Sequence, residues 1–323
     1  MDKVLVTGGA GFIGSHLVER LLGLGHTVVC LDNLEDLPSS PRASKLNNLR
    51  SMASQRGFVL AEGDIRDQTF LSRVFSSHKF DAVVHLAALS GVRESVAEVG
   101  LYEEVNIRGT ANLLEETRGH GVKKLVFASS AAVYGDNPRP SLSEGENTDS
   151  PISPYAVSKA TGELLCYCYS HNYALATVAL RFFTVYGPRQ KPGMAVHLFT
   201  KLMDEGKEVT VYGDGTSVRD YTYVGDVVAG IEAALAYRGP KFDVFNLASG
   251  RAVSLNELVS VIEMAMGKKA RVAHLPPQPG DVQGGEGDIS KAQALLGYRP
   301  AVDIRQGVSL FVEWYKAGLP RHK

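Results

Sequence analysis

The 323-residue chain is predicted to form an α/β fold, a doubly wound parallel sheet joined to a smaller lobe of mixed α/β structure. Three observations predict it. Short apolar runs of strand length alternate with amphipathic segments of helix length as far as Arg181. The first of those runs passes directly into a glycine cluster and then a helix. Beyond Arg181 the alternation fades while Gly, Pro and short strands increase, so the expected division is 1–181 with 220–248 for the sheet domain, and 182–219 with 249–323 for the lobe. At this length and 44% apolar content the chain has enough material for a sizeable core.

Lys3 to Thr7 (KVLVT) reads as a buried strand, Gly8, Gly9, Ala10, Gly11, Phe12, Ile13 and Gly14 as a turn, and Ser15 to Leu24 as a helix. Strand, glycine turn and helix in that order make an anion site, since the open amides of a helix start favour negative charge. Gly8 permits the tight turn, Gly11 lets the backbone approach a pyrophosphate, and Gly14 lets helix and strand pack closely. The next strand, Thr27 to Leu31, ends at Asp32, 18 residues beyond Gly14. A carboxylate there accepts bonds from an adenosine ribose and repels a 2′-phosphate, which favours NAD over NADP.

A polar insertion with Pro38, Pro41 and several Ser and Asn follows, then a strand at Phe58 to Glu62 and the motif Gly63, Asp64, Ile65, Arg66, Asp67. Asp64 either reaches an adenine amino group or caps the following helix, and the motif alone favours the cap. Ala82 to Leu86 is the next strand, leading into Ala87 and Ala88, small enough for a cofactor to lie against them. His85 within it reads as a packing residue. Glu103 to Arg118 and Pro154 to Tyr173 read as amphipathic helices separated by the strand Lys124 to Ala128. Ser129 and Ser130 follow that strand, where ligands of such sheets gather.

The second helix opens Ser153, Pro154, Tyr155, Ala156, Val157, Ser158, Lys159, with Pro154 suited to the first turn. Tyr155 and Lys159, at i and i+4, share a face. A phenol of pKa about 10 is a poor base, and an adjacent ammonium is expected to lower that value. Ser130 lacks the Gly-x-Ser-x-Gly elbow of a hydrolase nucleophile. It fits better as a hydrogen-bond partner for a sugar hydroxyl beside Tyr155.

In the second half, Thr184 and Tyr186 of RFFTVYG are expected to line a sugar pocket. Gly213, Gly215 and the 284–287 stretch read as turns, and Val227 to Tyr237 and Leu255 to Met266 as covering helices. Lys plus Arg total 34 against 35 for Asp plus Glu, which leaves no overall field to draw nucleic acid or an anionic membrane. The 9 histidines form no metal-type pair, and Cys30, Cys166 and Cys168 have no metal-type spacing, so no metal site is expected and the thiols read as reduced. No apolar run reaches the roughly 18 residues of a membrane span, and the chain begins MDKVLVTGG without a leader-like segment, so the expected address is the cytoplasm.

Taken in order, GGAGFIG, Asp32, GDIRD, HLAA, SSAAVYG and YAVSK resemble the extended short-chain dehydrogenase/reductase family, in its nucleotide-sugar epimerase and dehydratase branch. The likeness continues through RFFTVYGPRQ, VYGDGTSVRDYTYV, QPGDV and DISKAQALLGYRP. The 33–48 insertion and RFFTVYGPRQKPGMA look most like UDP-glucuronate 4-epimerases. This resemblance implies a Rossmann-like domain holding NAD, a UDP-sugar substrate, and a homodimer paired through the 103–118 and 154–173 helices. It implies Tyr155, Lys159 and Ser130 as catalytic residues. Cofactor contacts are implied at Gly8, Gly11, Phe12, Ile13, Gly14, Asp32, Asn33, Asp64, Ile65, Leu86, Ala87, Ala88, Ser129, Tyr155 and Lys159. Substrate contacts are implied at Ser129, Ser130, Thr184, Lys191, Tyr212 (stacking on uracil), Arg219 (on the diphosphate) and Asp281 (on the uridine ribose).

Two departures stand out. Lys191 replaces the Arg that those epimerases carry, keeping the charge but losing the planar fork. The Thr they carry after QPGDV is replaced within residues 283–286. The implied reaction is inversion of C4 through a 4-keto sugar. Competing expectations are the same chemistry on UDP-glucose or UDP-N-acetylglucosamine, decarboxylation of UDP-glucuronate, and a non-catalytic NAD-binding protein. A 4,6-dehydratase is disfavoured because Ala131 and Ala132 stand where that branch places Asp and Glu.

Overall fold

Val- and Leu-rich strands that are buried on both faces require a layer of helices on each side. The computed structural model describes residues 2–36, 40–276 and 284–318. Its main sheet has seven parallel strands in the order Phe242–Leu247, Ala176–Phe182, Lys124–Ser130, Ala82–His85, Lys3–Thr7, Thr27–Asp32, Phe58–Glu62. From Lys3–Thr7 the chain builds outward in one direction, then returns to build in the other. The crevice at that reversal is where ligands bind in open sheets of this kind.

One face packs against helices Phe12–Gly23 and Val224–Ala236, through residues such as Leu17, Leu21, Val126, Leu180 and Ile231. The other packs against Gln68–Ser77, Gly109–Gly119 and Pro154–Tyr173, through Leu71, Leu113, Phe127, Cys166 and Ala179. A third core joins Tyr186, Phe199, Val211, Leu258 and Phe311. It lies among the strands Thr184–Tyr186, Val218–Tyr223 and Ala252–Ser254, the pair Glu208–Tyr212 and Arg271–Leu275, and the helices Ala195–Asp204, Leu255–Met266 and Ile304–Gly318.

Several boundaries differ from the sequence reading. The first helix opens at Phe12, because glycines and small residues hide a helix start from an apolar-period reading. The strand Lys124–Ser130 includes both serines. The run expected from Glu103 is already helical at Val99–Tyr102 and passes through a π-helical turn, Glu103–Arg108, before Gly109–Gly119. Such turns are frequent at functional sites. The strand Val218–Tyr223 crosses position 220: Tyr221 lies in the third core, Tyr223 packs against both the first and the third, and Ala292 and Tyr298 pack into the first. Glu286–Gly287 pairs with Ser141–Leu142 rather than forming only a turn.

Candidate active site

The glycine turn is held by close packing of backbone on backbone. Gly8 has φ +68°, and a Cβ on it would sit 2.7 Å from the Ala87 nitrogen and 2.9 Å from the Leu86 carbonyl carbon. A Cβ on Gly14 would lie 2.1 Å from the Gly8 oxygen. Side chains are excluded at both places because backbone already fills the space, whereas a Cβ on Gly11 would meet only the Gly8 oxygen, at 3.2 Å, so the turn stays open beside the first-turn amides of Phe12, Ile13 and Gly14, which have no intrahelical acceptor. Asp32 is buried at the lip, where its carboxylate accepts from Ala10 N (3.2 Å), Leu34 N (3.0 Å) and Lys45 Nζ (3.2 Å). Asn48 donates to Ala10 O at 3.0 Å, so the polar insertion braces the turn.

Asp64 does not cap the next helix. Asp67 does, accepting from Phe70 N at 2.9 Å. Asp64 instead accepts from Asn33 Nδ2 (3.0 Å) and from Arg66 Nε and Nη2 (3.0 and 2.9 Å). Burial alone would raise its pKa, but these bonds hold it down to about 2. Ile65 packs against Gly109 and gives its carbonyl to Asn112, so its side chain belongs to the core. His85 is a packing residue: its ring nitrogens meet Thr7 Oγ1 (2.7 Å) and Thr110 Oγ1 (2.9 Å), and burial lowers its pKa to about 3.

Ser153 caps the next helix by accepting from Ala156 N at 3.1 Å, and Pro154 fills its first turn. The half-buried Tyr155 phenol lies beside Ser130, whose Oγ accepts from Ala132 N at 3.2 Å. Lys159 Nζ donates to Ala128 O at 2.8 Å and lies 5.9 Å from the Tyr155 ring centre. The expected lowering of the phenol's pKa by this ammonium does not hold in the chain itself. Burial raises Tyr155, with the nearby Ser130 hydroxyl opposing it. Burial also lowers Lys159 to about 8, so at pH 7 the ammonium still outnumbers the amine by about ten to one.

Two neighbours escaped the sequence reading. Asn106, in the π-helical turn, is buried, accepts from Leu89 N (2.8 Å) and donates to Leu89 O (3.0 Å) and Ser158 Oγ (2.9 Å). It ties the loop after Ala82–His85 to the Tyr155 helix. Tyr102 sets its ring edge-on to Tyr155, with centroids 6.4 Å apart. A polar residue on the inward face of an apolar helix was the available signal for Asn106.

The substrate-side residues reach the same loop. Lys191 Nζ donates to Ser90 Oγ at 2.9 Å, and burial, with Lys45 nearby, lowers its pKa. Arg93 lies over the Tyr212 ring, 5.3 Å from its centre. Arg219 donates to Val218 O at 2.7 Å and borders Gly284. Thr184 opens its strand half-buried, but Tyr186 lies wholly in the third core with its hydroxyl on Asp303 O, so it does not line a pocket. Ser129 is turned inward, its hydroxyl donating to Glu163 Oε1 at 2.5 Å. Asp281 lies outside the described residues. Among the described residues, no three His, Cys, Asp or Glu side chains gather as a metal site.

The family model described as GDP-mannose 4,6-dehydratase matches residues 5–311. The chain belongs to that family. Among family relatives, the UDP-glucuronate 4-epimerase of Thermodesulfobacterium geofontis is 38% identical over 320 residues, covering 99% of this chain and 98% of that protein. A solved UDP-glucuronic acid 4-epimerase of Bacillus cereus, in complex with UDP-glucuronic acid and NAD, superposes with TM-score 0.91 at 38% identity, covering 98% of this chain and 99% of that one. The UDP-glucose 4-epimerase of Thermotoga maritima, solved with UDP-glucose, gives TM-score 0.89 at 37% identity over 98% and 99% of the two chains.

Proposed function

We propose that this chain is an NAD-dependent 4-epimerase of UDP-sugars, converting UDP-glucuronate to UDP-galacturonate. The observation that carries this reading is the Tyr155 phenol beside Ser130 at the carboxyl end of a central strand, with Lys159 one turn along the same helix, its Nζ 5.9 Å from the Tyr155 ring centre. The residues around the glycine turn suit NAD: close packing at Gly8 and Gly14 draws the turn tight, Gly11 leaves its outer side free of a side chain, and Asp32 has acceptor capacity beyond its three bonds. Bound NAD supplies an acceptor and donor of hydride for the sugar's C4.

Within that frame the chain's own groups move and hold protons. Tyr155 takes the O4 proton as the alcohol becomes a ketone and returns it after the sugar has turned over. Ser130 orients O4, and the buried Lys159 charge favours the phenolate when proton transfer is required. Lys191 is assigned to the uronate carboxylate, Tyr212 and Arg219 to the uridine diphosphate, and Thr184 to the sugar. We assign residues 1–181 with 220–248 to NAD and 182–219 with 249–323 to the UDP-sugar. Ala131 and Ala132 carry no acid or base for dehydration, which favours epimerisation among the reactions of this branch.

A homodimer is proposed through the helix Pro154–Tyr173 and the run from Val99 to Gly119. Support comes from their exposed apolar side chains, with Leu164 69%, Tyr167 53% and Val157 44% exposed. No described helix is long and apolar enough to cross a membrane, and the cysteines are unbridged; the latter suits a reducing cytoplasm. A second substrate, neutral UDP-glucose, is favoured by one observation: the Lys191 ammonium already has Ser90 as partner. Incubating the purified protein separately with UDP-glucuronate, UDP-glucose and UDP-N-acetylglucosamine decides between them. UDP-galacturonate without carbon dioxide release is expected, and turnover of neutral sugars alone would overturn the uronate assignment.

A further inference from the structure

The Tyr155 helix grips the Lys124–Ser130 strand end at three successive turns of one face. Tyr155 lies beside Ser130, Lys159 Nζ donates to the Ala128 carbonyl, and Glu163 accepts from the Ser129 hydroxyl. Glu163 also receives Arg181 through both oxygens, Nε at 2.9 Å and Nη2 at 2.7 Å. Ser129 and Arg181 are cross-strand partners, so one carboxylate spans two adjacent strands one residue short of Ser130. All three side chains are buried.

Burying an ion pair rarely stabilises a fold more than apolar packing of similar volume, so stability alone is a weak reason for this arrangement. We propose that Glu163 is a positioning residue for the reaction: through the Ser129 hydroxyl it clamps the strand end so that the Ser130 side chain meets the Tyr155 phenol. A side chain at Ser130 displaced by an ångström or less would lose its bonds to both phenol and substrate hydroxyl, while substrate and cofactor contacts elsewhere would persist. The clamp therefore acts on the chemical step. This inference rests on Tyr155 and Ser130 being the reacting pair.

The test uses the NAD-loaded protein as purified, with steady-state turnover of UDP-glucuronate and bound NAD per subunit as readouts. Ser129→Ala removes the clamped hydroxyl and leaves the Glu163–Arg181 pair intact. It is expected to lower kcat about tenfold while KM and NAD content stay within about twofold. Ser129→Thr, which keeps a hydroxyl, is expected to restore at least about half of that loss on a logarithmic scale. Glu163→Gln is expected to lower kcat at least as much, and the double variant with Ser129→Ala no further, because both changes break one device.

Wild-type kcat in Ser129→Ala, multiplicative losses in the double variant, or a loss accounted for by KM or NAD content would overturn the clamp. Should Glu163→Gln fail to fold, the Ser129 pair of variants still decides. Tyr155→Phe separates the two levels: full turnover there removes the underlying reading, whereas an inactive Tyr155→Phe beside a fully active Ser129→Ala removes the clamp alone.

Discussion

The glycine turn and the substrate-side cluster meet the same loop, residues 86–93, by opposite means. Gly8 touches Leu86 and Ala87 through backbone, at distances that no side chain tolerates. Lys191 and Tyr212 reach Ser90 and Arg93 through long side chains at bonding or stacking distance. A site made of backbone depends on residue type at fixed spacing and fails when any atom is added. A site made of long side chains from distant segments tolerates substitution and changes its preference instead.

The sharpest way to break this contrast is Gly14→Ala. With its Cβ 2.1 Å from the Gly8 oxygen and 2.8 Å from the Gly9 Cα, the turn must open, and purified protein is expected to hold essentially no NAD. Full NAD content, read from the absorbance of an acid extract, would show that the turn is softer than its packing. Tyr155→Phe comes next, with turnover reduced by about a thousandfold and NAD content unchanged. A parallel loss of NAD would move Tyr155 from chemistry to cofactor binding.

On the side-chain-built half the effects are smaller and selective. Lys191→Ala is expected to lower kcat/KM for UDP-glucuronate by about 10- to 100-fold, since a partly buried charge pair is lost, and to change UDP-glucose by less than about threefold. Equal losses for both sugars would mean that Lys191 acts through the Ser90 contact rather than on the carboxylate.

Lys159→Met tests the cost of buried charge. The folded-state pKa of Lys159 is lowered to about 8 from 10.5. The folded chain therefore binds fewer protons than the unfolded chain between those values, and stability rises with pH across that window. Below it the full penalty applies, so the apolar replacement is expected to stabilise the protein at pH 7 by about 1–3 kcal/mol in denaturant unfolding while turnover is lost. A destabilised variant would show that the bond to Ala128 O outweighs desolvation.

The contrast also sets what could be read from sequence. Glycine spacing, Asp32, and Tyr155 with Lys159 are local patterns whose chemistry follows from strand, turn and helix geometry. Tyr186 was misplaced because its fate depends on Gly307, 121 positions away, whose missing side chain admits the ring to the core. The motif alone favours Asp64 as a cap over an adenine contact, because its partner Asn33, at the end of another strand, lies outside that motif. Ser129 stands at the strand end that spacing assigns it, but its bond to Glu163, 34 positions away, is not visible in that spacing. The depressed phenol pKa failed for a related reason: spacing places an ammonium near Tyr155 but does not reveal that burial of the site raises the phenol and lowers the ammonium.

The central claim is that the sugar's own C4 hydrogen leaves and returns while Tyr155 handles only the O4 proton. The most direct measurement is turnover of UDP-glucuronate carrying deuterium at C4 in ordinary water, with the product analysed by mass and NMR. UDP-galacturonate that keeps its deuterium at the inverted carbon is the expected result. Inverted product in which that deuterium has been replaced by solvent hydrogen would contradict it.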